Sequence, residues 1–123
     1  MAIGRHLVAD FYYCEAAFLD DAAALEREMV AAARTAGCEV RQASFCHFVP
    51  YGVSGAVIIA ESHLSVHTYP ELGFAALDFF TCGRLVDPRV ICELLVEAFK
   101  PKVVATELVV RGQHITLEGT SPE

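Results

Sequence analysis

At 123 residues the chain has the length of one ordinary domain, and 54% of it is hydrophobic, with a mean hydropathy of +0.42. No apolar run approaches the roughly 20 residues of a membrane span, and the N-terminus MAIGRHLVAD has no signal-peptide layout, so neither a membrane partner nor secretion is expected. Nine basic against sixteen acidic side chains, a net charge of −7, leave no basic face for a nucleic acid. The apolar excess in so short a chain asks for an oligomer interface. Cys14, Cys38, Cys46, Cys82 and Cys92 are odd in number and form no CxxC pair, which predicts reduced thiols in a cytoplasmic protein.

Residues 5–13 (RHLVADFYY) read as a strand with Leu7, Ala9, Phe11 and Tyr13 on one face. Asp20 or Asp21 can cap a helix through about Ala36, with Leu25, Met29, Ala32, Ala33 and Ala36 as its apolar stripe and Gly37 after its end. A second strand spans 38–49 and is broken by Pro50-Tyr51-Gly52. Residues 55–60 are a third strand and 75–80 a fourth. Asp87-Pro88 opens a second helix carrying Ile91, Leu94, Leu95, Ala98 and Phe99, and Pro101 stops it. Residues 103–110 are the last strand, and 118–123 are expected to fray. Strand, helix, three strands, helix, strand predicts the α+β class. The expected architecture is a two-layer α/β sandwich, an antiparallel sheet with two helices on one face. No linker divides residues 1–123, so one domain is expected.

The chemistry concentrates in residues 52–71, GVSGAVIIAESHLSVHTYPE. The apolar strand there gives way within a few residues to Glu61, Ser62, His63, Ser65, His67, Thr68, Tyr69 and Glu71. A strand ending in acids, bases and hydroxyls is a rigid support for reactive groups, and it is equally a strand followed by a polar turn. A serine is a nucleophile only where its proton has somewhere to go, and imidazole is the side chain suited to proton exchange near neutrality. His63, His67, Cys82 and Glu61 are metal-ligand types, but their spacing matches no zinc signature and no metal is expected. No GxSxG elbow and no Gly-rich phosphate loop occurs.

Three motifs, GVSG, ESHLSVHTYPE and DFFTCG, together resemble the short prokaryotic pyruvoyl-dependent S-adenosylmethionine decarboxylase family. The resemblance runs from GRHLVADFYYC at 4–14 to the final strand. Tyr69 stands where many relatives carry Trp, and residues 84–87 are not diagnostic. The resemblance implies self-cleavage between Glu61 and Ser62, giving a β chain of 1–61 and an α chain of 62–123 that begins with a pyruvoyl group made from Ser62. That group, the cofactor, would hold the substrate amine covalently. His67 would be the proton acceptor in processing, Ser54 its support, and Cys82 the proton donor in turnover. Glu71 would hold the ribose of S-adenosylmethionine, and Tyr69 and Phe48 would stack on its adenine. The product would be the aminopropyl donor of polyamine synthesis, and two cleaved protomers would pair as a homodimer. Two other readings stay open: the same machinery acting on arginine or ornithine, or a non-catalytic small-molecule binding protein on this scaffold.

Overall fold

The computed structural model describes residues 3–83, 86–116 and 119–120. Six strands form one sheet: β1 (Gly4–Tyr12), β2 (Glu39–His47), β3 (Val53–Ala60), β4 (Ser62–Tyr69), β5 (Phe74–Cys82) and β6 (Val103–Arg111). Their order is β2-β3-β4-β5-β1-β6, and every neighbouring pair is antiparallel. β7 (Ile115–Thr116) and β8 (Gly119–Thr120) form a separate small hairpin. Of the expected frayed tail, 119–120 are therefore paired; 118 and 121–123 lie outside the described residues, as do 84–85 of the undiagnostic segment.

The helices are α1 (Ala16–Leu19), α2 (Ala22–Thr35) and α3 (Pro88–Phe99). Asp21 caps α2 by accepting the Ala24 N–H at 3.0 Å, and Gly37 follows its end at φ 100°, a conformation that only glycine adopts freely. The Asp87 carboxylate accepts the Arg89 N–H at 2.9 Å at the start of α3. Leu25, Met29 and Ala33 of α2 join Ile91, Leu95 and Phe99 of α3 over Leu7, Phe11, Val57, Leu64 and Phe79 of the sheet. The fold is thus α+β, with the two long helices on one face. Buried Cys14 and Cys92 belong to this core, where burial pushes both thiols up to about 11. Gly55 faces the Phe45 ring of β2; a Cβ there would sit 2.0 Å from it, so only glycine lets the ring lie flat on the strand.

Besides the hairpin in the tail and Tyr13, which is exposed beyond the end of β1 instead of sharing the face of Leu7, Ala9 and Phe11, the structure differs from the sequence reading in two places. α1 is a short extra helix. More important, the polar stretch after Glu61 is not the ragged end of a strand but a full strand, β4. Leu64, Val66 and Thr68 go into the core, and His63, Ser65, His67 and Tyr69 line the opposite face. The polar half of that alternation hid the strand. No described helix covers this second face, and Val8, Tyr12, Ile58, Tyr69 and Val109 are exposed on it.

Thr68 shows how the core handles a buried hydroxyl. Its Oγ1 donates to the Leu19 carbonyl at 2.7 Å and accepts the Val53 N–H at 2.9 Å, tying α1 and β3 to β4. Thr68→Val keeps the shape and strands both backbone partners. It is expected to lower stability by about 2–4 kcal/mol, since each buried unpaired group costs roughly 1–3 kcal/mol; denaturant unfolding of the purified variant measures it.

Candidate active site

The sequence-predicted residues fall into two groups at opposite ends of the sheet; in the strands, Ser54, His67, Tyr69 and Cys82 lie on the open face, and alternation in β4 puts Ser62 on the helix face. At one end, Ser54 of β3 lies directly across from His67 of β4, and the Ser54 hydroxyl and His67 Nδ1 are 2.8 Å apart. They border an open cavity of about 310 Å³, with Phe48, Tyr69 and Glu71 also on its wall. Glu71 reaches this wall because Pro70–Leu72 turns once as a 3-10 helix immediately after β4. The Phe48 loop is held from behind: Asp20 Oδ1 accepts from the Gly52 N–H at 2.8 Å and meets His47 Nε2 at 2.8 Å. The Gly52 amide first, then His47, keeps the Asp20 carboxyl below its ordinary range.

At the other end, Ser62 opens β4, separated from β3 by Glu61 alone, which is exposed. β5 runs alongside and ends at Cys82, half-buried on the open face. The register that sets His63 opposite Phe80 sets Ser62 opposite Thr81 one step further. Ser62 and Cys82 therefore share one end, as an adjacent-strand arrangement requires. Ser54 and His67 do not join them: His67 is five positions along β4, about 17 Å away at the rise of a strand.

Between the two ends sits a network the sequence did not disclose. Asp78 of β5 meets His6 Nε2 at 2.6 Å and His63 Nε2 at 3.2 Å, and it also accepts from the Ser65 hydroxyl. Arg111 donates to His6 Nδ1 at 3.1 Å and lies over the Phe80 ring at 5.5 Å. Burial alone would push the Asp78 carboxyl up; the bonds from Ser65, His6 and His63 outweigh it and leave the carboxyl below its usual range. His6, His63 and Asp78 are also metal-ligand types with donor atoms within 4.8 Å of one another. Arg111 decides against that use. Because its guanidinium can only donate, His6 Nδ1 must accept, so His6 Nε2 carries the proton and offers no lone pair to an ion. The signal for this cluster was alternation in β1 and β5, but only the strand register could bring the residues together.

Thr81 is the other residue the sequence reading passed over. It is 2% exposed, faces the helix layer, and its Oγ1 finds no hydrogen-bond partner among the described residues.

Comparison with known proteins follows this geometry. A profile described as S-adenosylmethionine decarboxylase matches residues 5–112. A protein of Acetivibrio thermocellus named S-adenosylmethionine decarboxylase proenzyme is 50% identical over 111 residues, covering 90% of each chain. Proteins of the same name from Acidithiobacillus ferrooxidans and Thermotoga maritima are each 48% identical, covering 91% and 92% of this chain and 84% and 87% of theirs. The crystal structure of the adenosylmethionine decarboxylase of Aquifex aeolicus superposes with a TM-score of 0.87 at 28% identity, covering 98% of both chains.

Asp78 gives a stability test with a definite sign. A carboxyl held below its unfolded value stabilises the fold fully above about pH 4, and that contribution is lost as pH falls through the lower folded value. Asp78→Asn is expected to cost about 1–3 kcal/mol at pH 7 and to flatten the loss of stability below pH 4. Denaturant midpoints at pH 7 and pH 3 for both proteins measure the difference.

Proposed function

The chain belongs to the S-adenosylmethionine decarboxylase family, and on that premise we propose that it decarboxylates S-adenosylmethionine through a pyruvoyl group made from its own Ser62. The observation that carries the reading is the placement of Ser62 and Cys82 on adjacent strand ends, with Ser54, His67, Glu71, Tyr69 and Phe48 converging on one cavity. A small-molecule binding protein would need neither Ser62 and Cys82 at one end of the sheet nor the Ser54–His67 hydrogen bond.

Ser62 fits the demands of self-cleavage. The bond to Glu61 lies in a connection of a single residue between two strands, and the buried Thr81 hydroxyl, without a partner among the described residues, stands opposite. In the first step the Ser62 oxygen attacks the Glu61 carbonyl carbon and the C–N bond breaks, leaving an ester and a free amine. A base then removes the Ser62 Cα proton, and Glu61 leaves as a carboxylate. Loss of ammonia to water completes the new N-terminus. The pyruvoyl group would supply the carbonyl that takes up the substrate amine and draws in the electron pair left when carbon dioxide departs. Cys82, on the neighbouring strand end, holds the proton destined for the substrate carbon. Glu71 accepts hydrogen bonds from the ribose, and Phe48 and Tyr69 offer flat faces to adenine. This nucleoside half of the cavity favours S-adenosylmethionine over arginine or ornithine.

His67 is the base of the processing step, and the 17 Å strand distance sets a condition on it. One chain cannot bring its own His67 to its own Ser62. A second copy can. Two sheets stacked open face to open face, related by a two-fold axis perpendicular to the strands, place the His67 end of each over the Ser62 end of the other. The exposed Val8, Ile58 and Val109 would be covered by the same contact. We therefore read the working unit as a homodimer with two shared sites. Among the described residues no helix is long and apolar enough to cross a membrane, and Cys14, Cys38, Cys46, Cys82 and Cys92 are all free thiols, which supports a cytoplasmic setting.

Intact-mass measurement is expected to show two fragments, the C-terminal one lighter by one ammonia than a chain starting at Ser62. Ser62→Ala is expected to remain one chain. Release of labelled carbon dioxide should be fastest from S-adenosylmethionine; faster turnover of arginine or ornithine would move the substrate assignment, and full activity of an uncut chain would remove the mechanism.

The shared site has its own test. His67→Ala alone is expected to cleave poorly. Co-expressed with a tagged Ser62→Ala chain, which carries an intact His67, it should be cleaved in the mixed dimer. Absence of any rescue in isolated mixed dimers would mean that each chain processes itself.

A further inference from the structure

We propose that the Thr81 hydroxyl belongs to the self-cleavage machinery, taking the hydrogen bond of the Ser62 hydroxyl and aiming the serine oxygen at the Glu61 carbonyl. This rests on the reading of Ser62 as the self-cleaving residue. Thr81 is 2% exposed, and its Oγ1 has no partner among the described residues. An unpaired buried hydroxyl costs free energy, and valine has the same shape without that cost. Thr68, buried on the same face of the sheet, has both its donor and its acceptor capacity used. Thr81 uses neither among the described residues, which leaves its hydroxyl available to a group at the cleavage site.

The register names that group. Thr81 pairs with Arg5 on β1, and the β4–β5 register, carried one step beyond His63–Phe80, brings Ser62 opposite it. Arg5 is engaged elsewhere, donating to the Val86 carbonyl at 3.0 Å and lying 3.9 Å from Asp87. Ser62 lies between Ile59 on β3 and Thr81 on β5, so Thr81 is its one polar lateral neighbour on that face. Directly opposed residues have Cβ atoms about 4.5–5.5 Å apart, a span that threonine and serine hydroxyls bridge by rotation about χ1. In the step assisted, the Ser62 oxygen bonds to the Glu61 carbonyl carbon and the Glu61–Ser62 C–N bond breaks. The hydroxyl proton ends on the released nitrogen. Thr81 keeps its own proton and fixes the serine rotamer.

The test follows cleavage of freshly translated chains by intact mass, with thermal unfolding run in parallel on wild type, Thr81→Val, Thr81→Ser and Ser62→Ala. Thr81→Val is expected to melt at or above the wild-type temperature and to cleave about 10- to 100-fold more slowly, the scale of a misaimed reacting group. Thr81→Ser is expected to restore the rate. Wild-type cleavage by Thr81→Val overturns the proposal, and so does a Thr81→Ser chain as slow as Thr81→Val. If Thr81→Val does not fold, Thr81→Ala against Thr81→Ser makes the same comparison. A wild-type chain that never cleaves overturns the Ser62 reading itself, an outcome separate from normal cleavage in the Thr81 variant.

Discussion

The alternation of β4 is the constraint on which the rest depends. Leu64, Val66 and Thr68 are pinned in the core, and this forces His63, Ser65, His67 and Tyr69 onto the other face. A slip of one residue against β3 or β5 would bury two imidazoles and expose the apolar set. The pairing is therefore held by core packing, not by the polar residues of the other face. Thr68 strengthens it by joining β4 to the β3 amide and to the end of α1. Every functional placement follows from that register: Ser54 against His67, His63 against Phe80, Ser62 against Thr81.

The same rigidity divides the site. A paired strand inside a six-stranded sheet cannot fold back on itself, so His67 and Ser62 stay apart within one chain. A sheet face with exposed Val8, Ile58 and Val109 also leaves apolar surface in water. The proposed contact between two copies would answer both problems, because antiparallel stacking exchanges strand ends. The high apolar fraction of a short acidic chain fits this arrangement.

Much of this was legible in the sequence. Asp21, Gly37, Asp87 and Pro88 marked helix ends through local chemistry, where a cap or a left-handed residue acts over a few positions. β1, β2, β3, β5 and β6 showed in their apolar patterns. β4 did not, since its outward half is all histidine, serine and tyrosine and mimics a turn. The motif residues were identifiable by family resemblance, whereas their distribution over two ends of a sheet was not. Asp78 and Thr81 lie inside the DFFTCG motif and His6 in the GRHLVADFYYC segment, but nothing local assigns them, or Arg111, a role. Their significance lies in neighbours supplied by other strands, and a one-dimensional reading has no access to register.

Asp78 and Thr81 lie on opposite faces of β5, and both stand beside the first two residues of β4. Asp78 holds His63, the residue after Ser62, from the open face; Thr81 stands across from Ser62 on the helix face. The downstream side of the Glu61–Ser62 bond is thus gripped by β5, while Glu61 on the upstream side is exposed. The proposed cleavage would remove the Ser62 nitrogen and with it a backbone hydrogen-bonding group at the start of β4. The His63–Asp78 contact lies beyond that bond, so it would survive the cut and keep the new chain start in register beside Cys82. A catalytic group created by cutting the backbone needs such an anchor one residue away, since the cut itself frees the strand end that carries it.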